Sequence, residues 1–521
     1  MTLEEFAKQF QDLEQSDLKA MLERRHPDYY EKLDHWLFLK ATYDGGREWF
    51  ETNIFRYIKE GDDEFKDRKK RAYRFNHTRV VVDLVNKYIF KATINRRRED
   101  APMPVRDFWD NATLRGLPIN EFMKLAANKS SIFGKSWIVV DSTKGTMGGT
   151  AAEDREQGNR CYAYTVEPPN VLDMAFARDG TTQWVLMREF AREDSSPTDS
   201  GETEVQYRLW TPEFWALFKE VKKKRANSKT TYYLASYGEH GVGVVPAFPV
   251  DHVIDEDQYS GQALIDDTAY LDRAVANYLS NLDAIIQDQT FSQLVIPAQA
   301  LLPGEDGHEK IVEMGTKRIF TFDAQANITP EYIAPDSSQA KIILDVVEKI
   351  ISEIYHSTGL AGERTKQDNS MGIDNSSGVA KAYDFDKMNA MLASKANALQ
   401  RAEEKLIQIV MAYNSEPYKS PERPYVEYPK DFDVRGLYDE FEIAQRLALV
   451  AAPKKLRREQ MKTVADKLLP TIPDKDLKAV KDEIEKDWLE LPEELPKSPG
   501  VPPVPAQESA QGQNKNGDKT I

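Results

Sequence analysis

The sequence predicts an α+β fold, and three observations predict it. Helical periodicities dominate both ends of the chain, a run of short β-rich segments occupies the middle, and two uninterrupted helical stretches bracket a compact excursion with strand-like pieces. The chain has 521 residues, which at roughly 100 to 200 residues per domain allows two to four structural units. A single small module is excluded.

The elements follow in order. Residues 1–60 read as helical: Leu3, Phe6, Phe10 and Leu13 recur at steps of three and four, and Trp36, Leu37 and Leu39 precede the Gly45-Gly46 break. A charged run, Lys66 to Arg74, comes next. Val81, Leu84, Val85, Tyr88 and Ile89 then share one helical face within Phe75 to Phe90, and Leu117 to Ile132 forms another amphipathic helix. After Gly134 the period changes. Trp137 to Val140 opens a region of short strands separated by turns: Tyr162 to Val166, Trp184 to Phe190, Val205 to Trp210, Phe214 to Val221 and Tyr232 to Leu234. This pattern predicts an antiparallel meander extending to about Val253, with polar loops at Arg192 to Glu202 and Lys222 to Ser228.

The second half is helical with one interruption. From Leu264 to Gln289 there is no Gly or Pro, and Leu264, Thr268, Leu271, Val275, Tyr278, Leu282 and Ile285 alternate in steps of four and three. That spacing predicts a helix of roughly 39 Å packed lengthwise against other helices. A second helix opens at Asp336, with Gln339 completing a capping-box-like pattern, carries Ile343, Val347, Ile350 and Ile354 on one face, and stops at Gly359. Between them, Thr290 to Pro335 contains the strand-like pieces Gln293 to Ile296 and Arg318 to Phe322. The glycine-rich segment Leu360 to Gly378 leads into a third long helix, from near Ser377 to about Tyr413, with Tyr383, Met388, Met391, Leu392, Leu399, Leu406 and Ile409. A short strand, Tyr425 to Tyr428, precedes a helical block from Leu437 to Trp488, and the Pro-, Gln-, Asn- and Gly-rich tail is expected to be disordered. No internal repeat is present.

Charge narrows the function. Lys and Arg total 70 against 86 Asp and Glu, a formal charge of −16. A protein that grips phosphates over its whole surface carries the opposite sign, because that affinity comes from cations displacing counterions. Any contact with DNA is therefore local or weak. No apolar stretch approaches the roughly 20 residues needed to cross a bilayer, and Met1 to Phe10 has no signal-peptide core, so a soluble, unprocessed protein without a membrane partner is expected. The one cysteine, Cys161, excludes an intrachain disulfide and a thiolate metal cluster and fits a reducing setting.

Catalytic motifs are missing. Phe133-Gly134-Lys135-Ser136 has the tail of a phosphate-binding loop, but Lys129 stands where its first glycine belongs. The seven histidines never pair at i, i+4 and show no zinc spacing, and no G-x-S-x-G elbow occurs. The sequence therefore points away from an enzyme and implies no metal or cofactor. Basic residues at Lys66 to Arg74 and Lys222 to Arg225 read as solvated surface or as nucleic-acid contacts. Arg364 and Lys366 sit on the glycine-rich segment between helices, as a bland loop or a binding loop. The first long helix carries Asp266, Asp267, Asp272, Asp283 and Asp288 against Arg273, which is either a solvent stripe or, repeated in many copies, an acidic lining around a polyanion.

Several local strings, in this order, resemble the portal proteins of tailed double-stranded DNA bacteriophages. Tyr43-Asp44-Gly45-Gly46, Arg74-Phe75-Asn76 and Val81-Val82-Asp83 resemble the family's N-terminal pattern. Ser131 to Trp137 is similar to its glycine-containing turn before the first wing strands, Val166-Glu167-Pro168-Pro169-Asn170-Val171 to the strand entry that follows, and Ser376 to Lys381 to the start of its long wing helix.

The resemblance implies a ring-forming, elongated subunit with a wing of helices and β meander (1–260), a first stem helix (261–289), a small α/β clip (290–335), a second stem helix (336–358), a tunnel loop (359–377), a kinked long wing helix with the rest of the wing (378–436), a helical crown (437–490) and a disordered tail (491–521). It further implies a homo-oligomeric ring, usually twelvefold, at one capsid vertex of the virion, assembled in the host cytoplasm with the major capsid and scaffolding proteins. Double-stranded DNA would pass through it without sequence specificity, past Arg364, Lys366, Asn369, Ser370 and Asn375 of the tunnel loop and past the stem residues Asp266, Asp272 and Asp283. The clip would dock the terminase large subunit and then a head-completion adaptor, with Gln293, Glu305, Asp306, Glu309 and Lys310 as candidate contacts. The rival reading is a capsid-associated scaffolding or structural protein that encloses no DNA.

Overall fold

The computed structural model describes residues 1–58, 60–91, 93–143, 158–192, 196, 201–220, 231–257, 259–290, 293–297, 319–322, 331–333, 338–360, 378–416, 418, 424–430, 432, 454–468 and 474–486. The chain divides into two compact units, Met1–Asp433 and Val434–Ile521. The class is α+β.

The first unit opens with eight helices: α1 (Leu3–Gln11), α2 (Gln15–Leu22), α3 (Tyr29–Asp44), α4 (Arg47–Asn53), α5 (Asp62–Arg71), α6 (His77–Lys91), α7 (Met103–Asp110) and α8 (Ile119–Phe133). Thr2 starts α1 with a reciprocal cap. The Glu5 amide donates to Thr2 Oγ1 at 3.2 Å and the Thr2 amide donates to Glu5 Oε2 at 2.8 Å, so two otherwise orphan donors are satisfied. α3 stops at Gly45, whose φ of 66° lies in the left-handed region. Gly134 ends α8 at φ 81°, and a Cβ there would sit 2.1 Å from the Gly261 carbonyl oxygen, so only glycine fits.

The central strands form two sheets, which corrects the single meander expected from their spacing. In the first, β2 (Lys135–Ser142) is the middle strand, flanked antiparallel by β3 (Cys161–Val166) and β9 (Ala247–Asp251). The second is an up-and-down sheet of β4 (Val171–Phe176), β5 (Thr182–Arg192), β6 (Thr203–Trp210), β7 (Phe214–Glu220) and β8 (Tyr232–Glu239). The break falls at the 3-10 turn Pro168–Asn170: two successive prolines lack the amide donors that a continuing ladder needs. α8 covers β2, every residue of which is buried. Trp36, Trp109, Trp137, Trp210, Phe122 and Phe133 fill the shared core.

α9 (Thr268–Thr290) and α10 (Ser338–Ser357) pack on one another. Val275 and Leu279 of α9 meet Val347 of α10, with Ile343, Ile350 and Ile351 alongside. α9 begins four residues later than its periodicity predicts, because the Asp266 carboxylate accepts the Ala263 amide at 2.8 Å and holds a turn there. Between the two helices in sequence lies a three-stranded sheet in which β10 (Gln293–Pro297) pairs parallel with β11 (Ile319–Phe322) and antiparallel with β12 (Glu331–Ile333). α10 ends at Gly359, φ 72°. α11 (Gly378–Tyr413) follows, burying Leu392, Leu399 and Leu406 at seven-residue steps. The short strand after it, β13 (Val426–Glu427), pairs with β1 (Asn95–Arg96), a two-residue strand too brief to leave a sequence signal. In the second unit, α12 (Lys454–Leu468) and α13 (Asp474–Lys486) are joined through Glu485, which lies 2.6 Å from Lys462 and 3.8 Å from Arg458.

Candidate functional site

The acidic positions of α9 and the basic run beside α5, two separate candidates in the sequence, meet in the structure. α5 and the strand-like link after it lie along α9, and the charges pair. Arg71 Nε is 3.2 Å from Asp283 Oδ2. Arg68 donates to Ser280 Oγ at 3.0 Å and to both Glu60 oxygens at 2.7 and 2.8 Å, a bidentate grip made inside the fold. That grip holds Glu60 below the ordinary carboxylate range and raises Arg68.

Asp272 lies deepest. Its carboxylate is fully buried, accepting from Thr78 Oγ1 at 2.8 Å and from the Thr78 amide at 3.3 Å, with Arg74 Nη1 at 3.5 Å. Arg74 in turn lies over the Trp49 ring at 4.0 Å and donates to the Thr42 carbonyl. Burial pushes the Asp272 carboxyl up and the Arg74 guanidinium down, so for each partner desolvation outweighs the attraction between them. Asp272 therefore has no exposed surface in this chain, which corrects the expectation that it lines a solvent-facing channel wall. Asp266 and Asp283 keep partial exposure, but Asp266 sits 2.8 Å from His35 Nε2 and Asp283 is held by Arg71. Arg273 lies over the rings of Phe38, Phe55 and Tyr270 at 4.6, 5.2 and 5.0 Å.

The other candidates fall elsewhere. Arg364, Lys366, Asn369, Ser370 and Asn375, together with Glu305, Asp306, Glu309 and Lys310 and the run Lys222 to Arg225, lie outside the described residues. Gln293 is the first residue of β10, opposite Ile333 of β12. Lys135, the cation of the phosphate-loop-like string, points inward: its Nζ contacts Asp251 Oδ1 at 2.6 Å and the Asp257 carbonyl at 2.7 Å. It carries no ligand-binding geometry.

Sequence reasoning missed a buried cation, Lys395 on α11. Its Nζ lies 2.9 Å from the Ala127 carbonyl, 3.1 and 2.6 Å from the hydroxyls of Ser130 and Ser131, and 3.0 Å from His252 Nδ1. Burial drives Lys395 well below its ordinary pKa and, with the Lys395 charge, drives His252 down as well. Although Ser131 and Lys395 are within reach of one another, both are fully buried, so the contact joins α11 to α8 and presents no reactive group. Its only sequence signal is a lysine among the apolar positions of a long helix. A cleft of 810 Å³ beside α8 contains Asp141, Tyr162, Tyr164, Glu189 and Arg208. These also pair internally: the Tyr162 hydroxyl donates to Asp141 at 3.0 Å, the Tyr164 hydroxyl donates to Glu189 at 3.1 Å, and Arg208 Nε donates to Glu189 at 2.9 Å.

Among the described residues, no cluster of His, Cys, Asp and Glu could hold a metal ion, and no helix is long and apolar enough to cross a membrane. What the helix pair does present is uncovered apolar surface. On α10, Ile342 is 60% and Leu344 51% exposed, and across α9 the link after α4 exposes Phe55, Tyr57 and Ile58.

No family model and no curated protein matches the sequence. Solved structures of gene transfer agent particles are similar over most of the chain. A chain in the neck of the empty particle, computed with C6 symmetry, is 11% identical at a TM-score of 0.37, covering 79% of this chain and 99% of that one. A chain of the native virion is 11% identical at 0.37, covering 80% and 94%. A chain in the neck of the native particle, computed with C12 symmetry, is 9% identical at 0.38, covering 82% and 90%. Similarity of this degree establishes neither family nor function.

Proposed function

We propose that the chain is a portal-type subunit: copies assemble into a closed ring at one vertex of a phage-like capsid, and the ring is the conduit for double-stranded DNA. The observation that carries this reading is the layout of α9, a small mixed sheet and α10. Two long helices pack together and bracket a separate three-stranded piece, which a simple coiled-coil scaffold does not need. Exposed Ile342 and Leu344 on α10 fit a helix pair that finishes its packing against neighbours.

In this reading the chain performs no hydrolysis. The net charge of −16 keeps phosphates from adhering, while Arg364 and Lys366 give brief, salt-dependent contacts to moving DNA. The pairing of Asp272 and Asp283 with Arg74 and Arg71 means that α9 contributes little free negative charge to that surface. The segment 290–335 docks the terminase large subunit and then the head-completion adaptor. Electron microscopy of the purified full chain tests the proposal. A ring with an open axial channel is expected; a monomer, or an assembly without a channel, would overturn it in favour of a scaffolding role or none.

A further inference from the structure

A second cleft, of 680 Å³, opens between the edge strand β9, α11 and the turns that join β4 to β5 and β6 to β7. β9 pairs with β2 on one side only. Its hydrogen bonds show which residues face the free side. The Val140 amide donates to the Pro246 carbonyl and the His252 amide donates to the Gly134 carbonyl, each at 2.8 Å, so the even-numbered residues of this stretch turn their main-chain groups to β2. In an antiparallel ladder the bonded residues alternate, and Ala247, Pro249 and Asp251 therefore turn theirs to the open edge. The sequence agrees with that register: a strand tolerates proline where the missing amide would face away from the ladder. No described residue bonds the Ala247 and Asp251 amides or the three outward carbonyls.

The opposite wall of the cleft is a face of α11. Arg401 and Lys405, one turn apart, are exposed, and neither pairs with a carboxylate of any described residue. Glu404 lies beside them with its Oε1 buried and without a hydrogen-bond partner, and burial holds this carboxyl above the ordinary range. The one other charge on the cleft, Asp251, is neutralised by Lys135 at 2.6 Å. The rim is apolar at Val244 and Ile254, which are 42% and 43% exposed.

We infer that this cleft is a docking groove for an extended segment of a partner protein, which adds as a strand to the open edge of β9 and sets an acidic side chain against Arg401 and Lys405. Three features select that occupant. A free strand edge offers donors and acceptors at a strand's own spacing, and another extended backbone matches them. Two cations that no ion pair cancels favour a carboxylate, and the apolar rim favours aliphatic residues on either side of it. Glu404 Oε1 lacks a donor, which a peptide amide on the side away from β9 supplies. The inference goes beyond the ring reading and does not depend on it.

Fluorescence anisotropy with the full chain tests it, using labelled heptapeptides in which valine alternates with glutamate, with lysine or with threonine. The glutamate peptide is expected to bind, and the lysine peptide to bind at least about tenfold more weakly. Two further glutamate peptides, N-methylated at one or the other set of alternate amides, keep the charge and remove main-chain donors. At least one of them should lose roughly three- to tenfold in affinity. The double variant Arg401→Glu, Lys405→Glu, changed only at exposed positions, should lose the preference for glutamate over lysine. No binding up to about 1 mM, equal binding of the three parent peptides, or full binding of both methylated forms would overturn the inference. So would a short DNA duplex that displaces the glutamate peptide and fails to bind the double variant, because the cations would then be phosphate contacts.

Discussion

α9 and α10 are neighbours of similar length, and they are built on different terms. α9 is covered on two faces, by α10 and by the segment from α4 through α5, and Asp272 and Asp283 are neutralised by cations of its own chain. α10 packs on α9 along its length and on α6 only near its C-terminal end, where Tyr355 meets His77, and it leaves mixed charge and the partly exposed Ile342 and Leu344 to the outside. The difference teaches that a helical period identifies a long packed helix but not which of its charges remain available. The acidic helix is the internal one, and the apolar excess lies on its partner.

The largest test of that contrast is Asp272→Ala. Removing one partner of a buried pair leaves Arg74 uncompensated, and a loss of about 3 to 5 kcal/mol in unfolding free energy is expected from the general cost of breaking such pairs. Replacing both residues, Arg74→Met with Asp272→Leu, is expected to cost less than the single change, since burial already strains both ions. Denaturant titration of the three variants decides it. A single-variant loss below about 1 kcal/mol, the range of exposed ion pairs, would mean that α9 is solvated like α10 and would erase the comparison.

The third long helix, α11, extends the comparison to a buried cation with no carboxylate at its head group. His252 accepts from Lys395 only when neutral, and its folded pKa is depressed, so its contribution is fully present above the ordinary histidine value and is lost as pH falls below it. Between about pH 6.5 and 5, unfolding free energy is expected to drop by up to about 1.4 kcal/mol per pH unit more in the unmodified chain than in His252→Gln, whose amide oxygen can accept the same bond. Parallel pH profiles for the two proteins would refute this assignment.

Much of the fold was legible because its signals are local. Gly45 and Gly134 stop helices where the periodicity ends, and the four-three spacing from Leu264 marks α9 to within a turn. The sheet division was harder to read, since β9 pairs with β2 across more than a hundred residues and the Pro168-Pro169 break looks like any other turn. The candidate site was the least legible region. Arg74 and Asp272 are 198 residues apart, and nothing in either neighbourhood signals that they meet. Of a basic run and an acidic helix, each plausible as a DNA contact alone, Arg71 and Arg74 serve as counter-ions to Asp283 and Asp272, and the other cations of the run pair with Glu51, Glu60, Asp63 and Asp67.

The smallest expected effect lies on the outer side of α10. Leu344→Ala removes a side chain that is 51% exposed, and in the dissociated chain it should change unfolding free energy by no more than about 0.5 kcal/mol, as surface substitutions do. The same change should weaken self-association, because a leucine with half of its surface exposed in one copy has that half to bury only when a second copy is present. Paired measurements separate the two effects: denaturation at low protein concentration, where the variant and the unmodified chain should coincide, and sedimentation across a concentration series, where the variant should dissociate first. If the variant is instead destabilised at every concentration, Leu344 is packed within its own chain, and the distinction between an enclosed α9 and an open α10 fails at its weaker end.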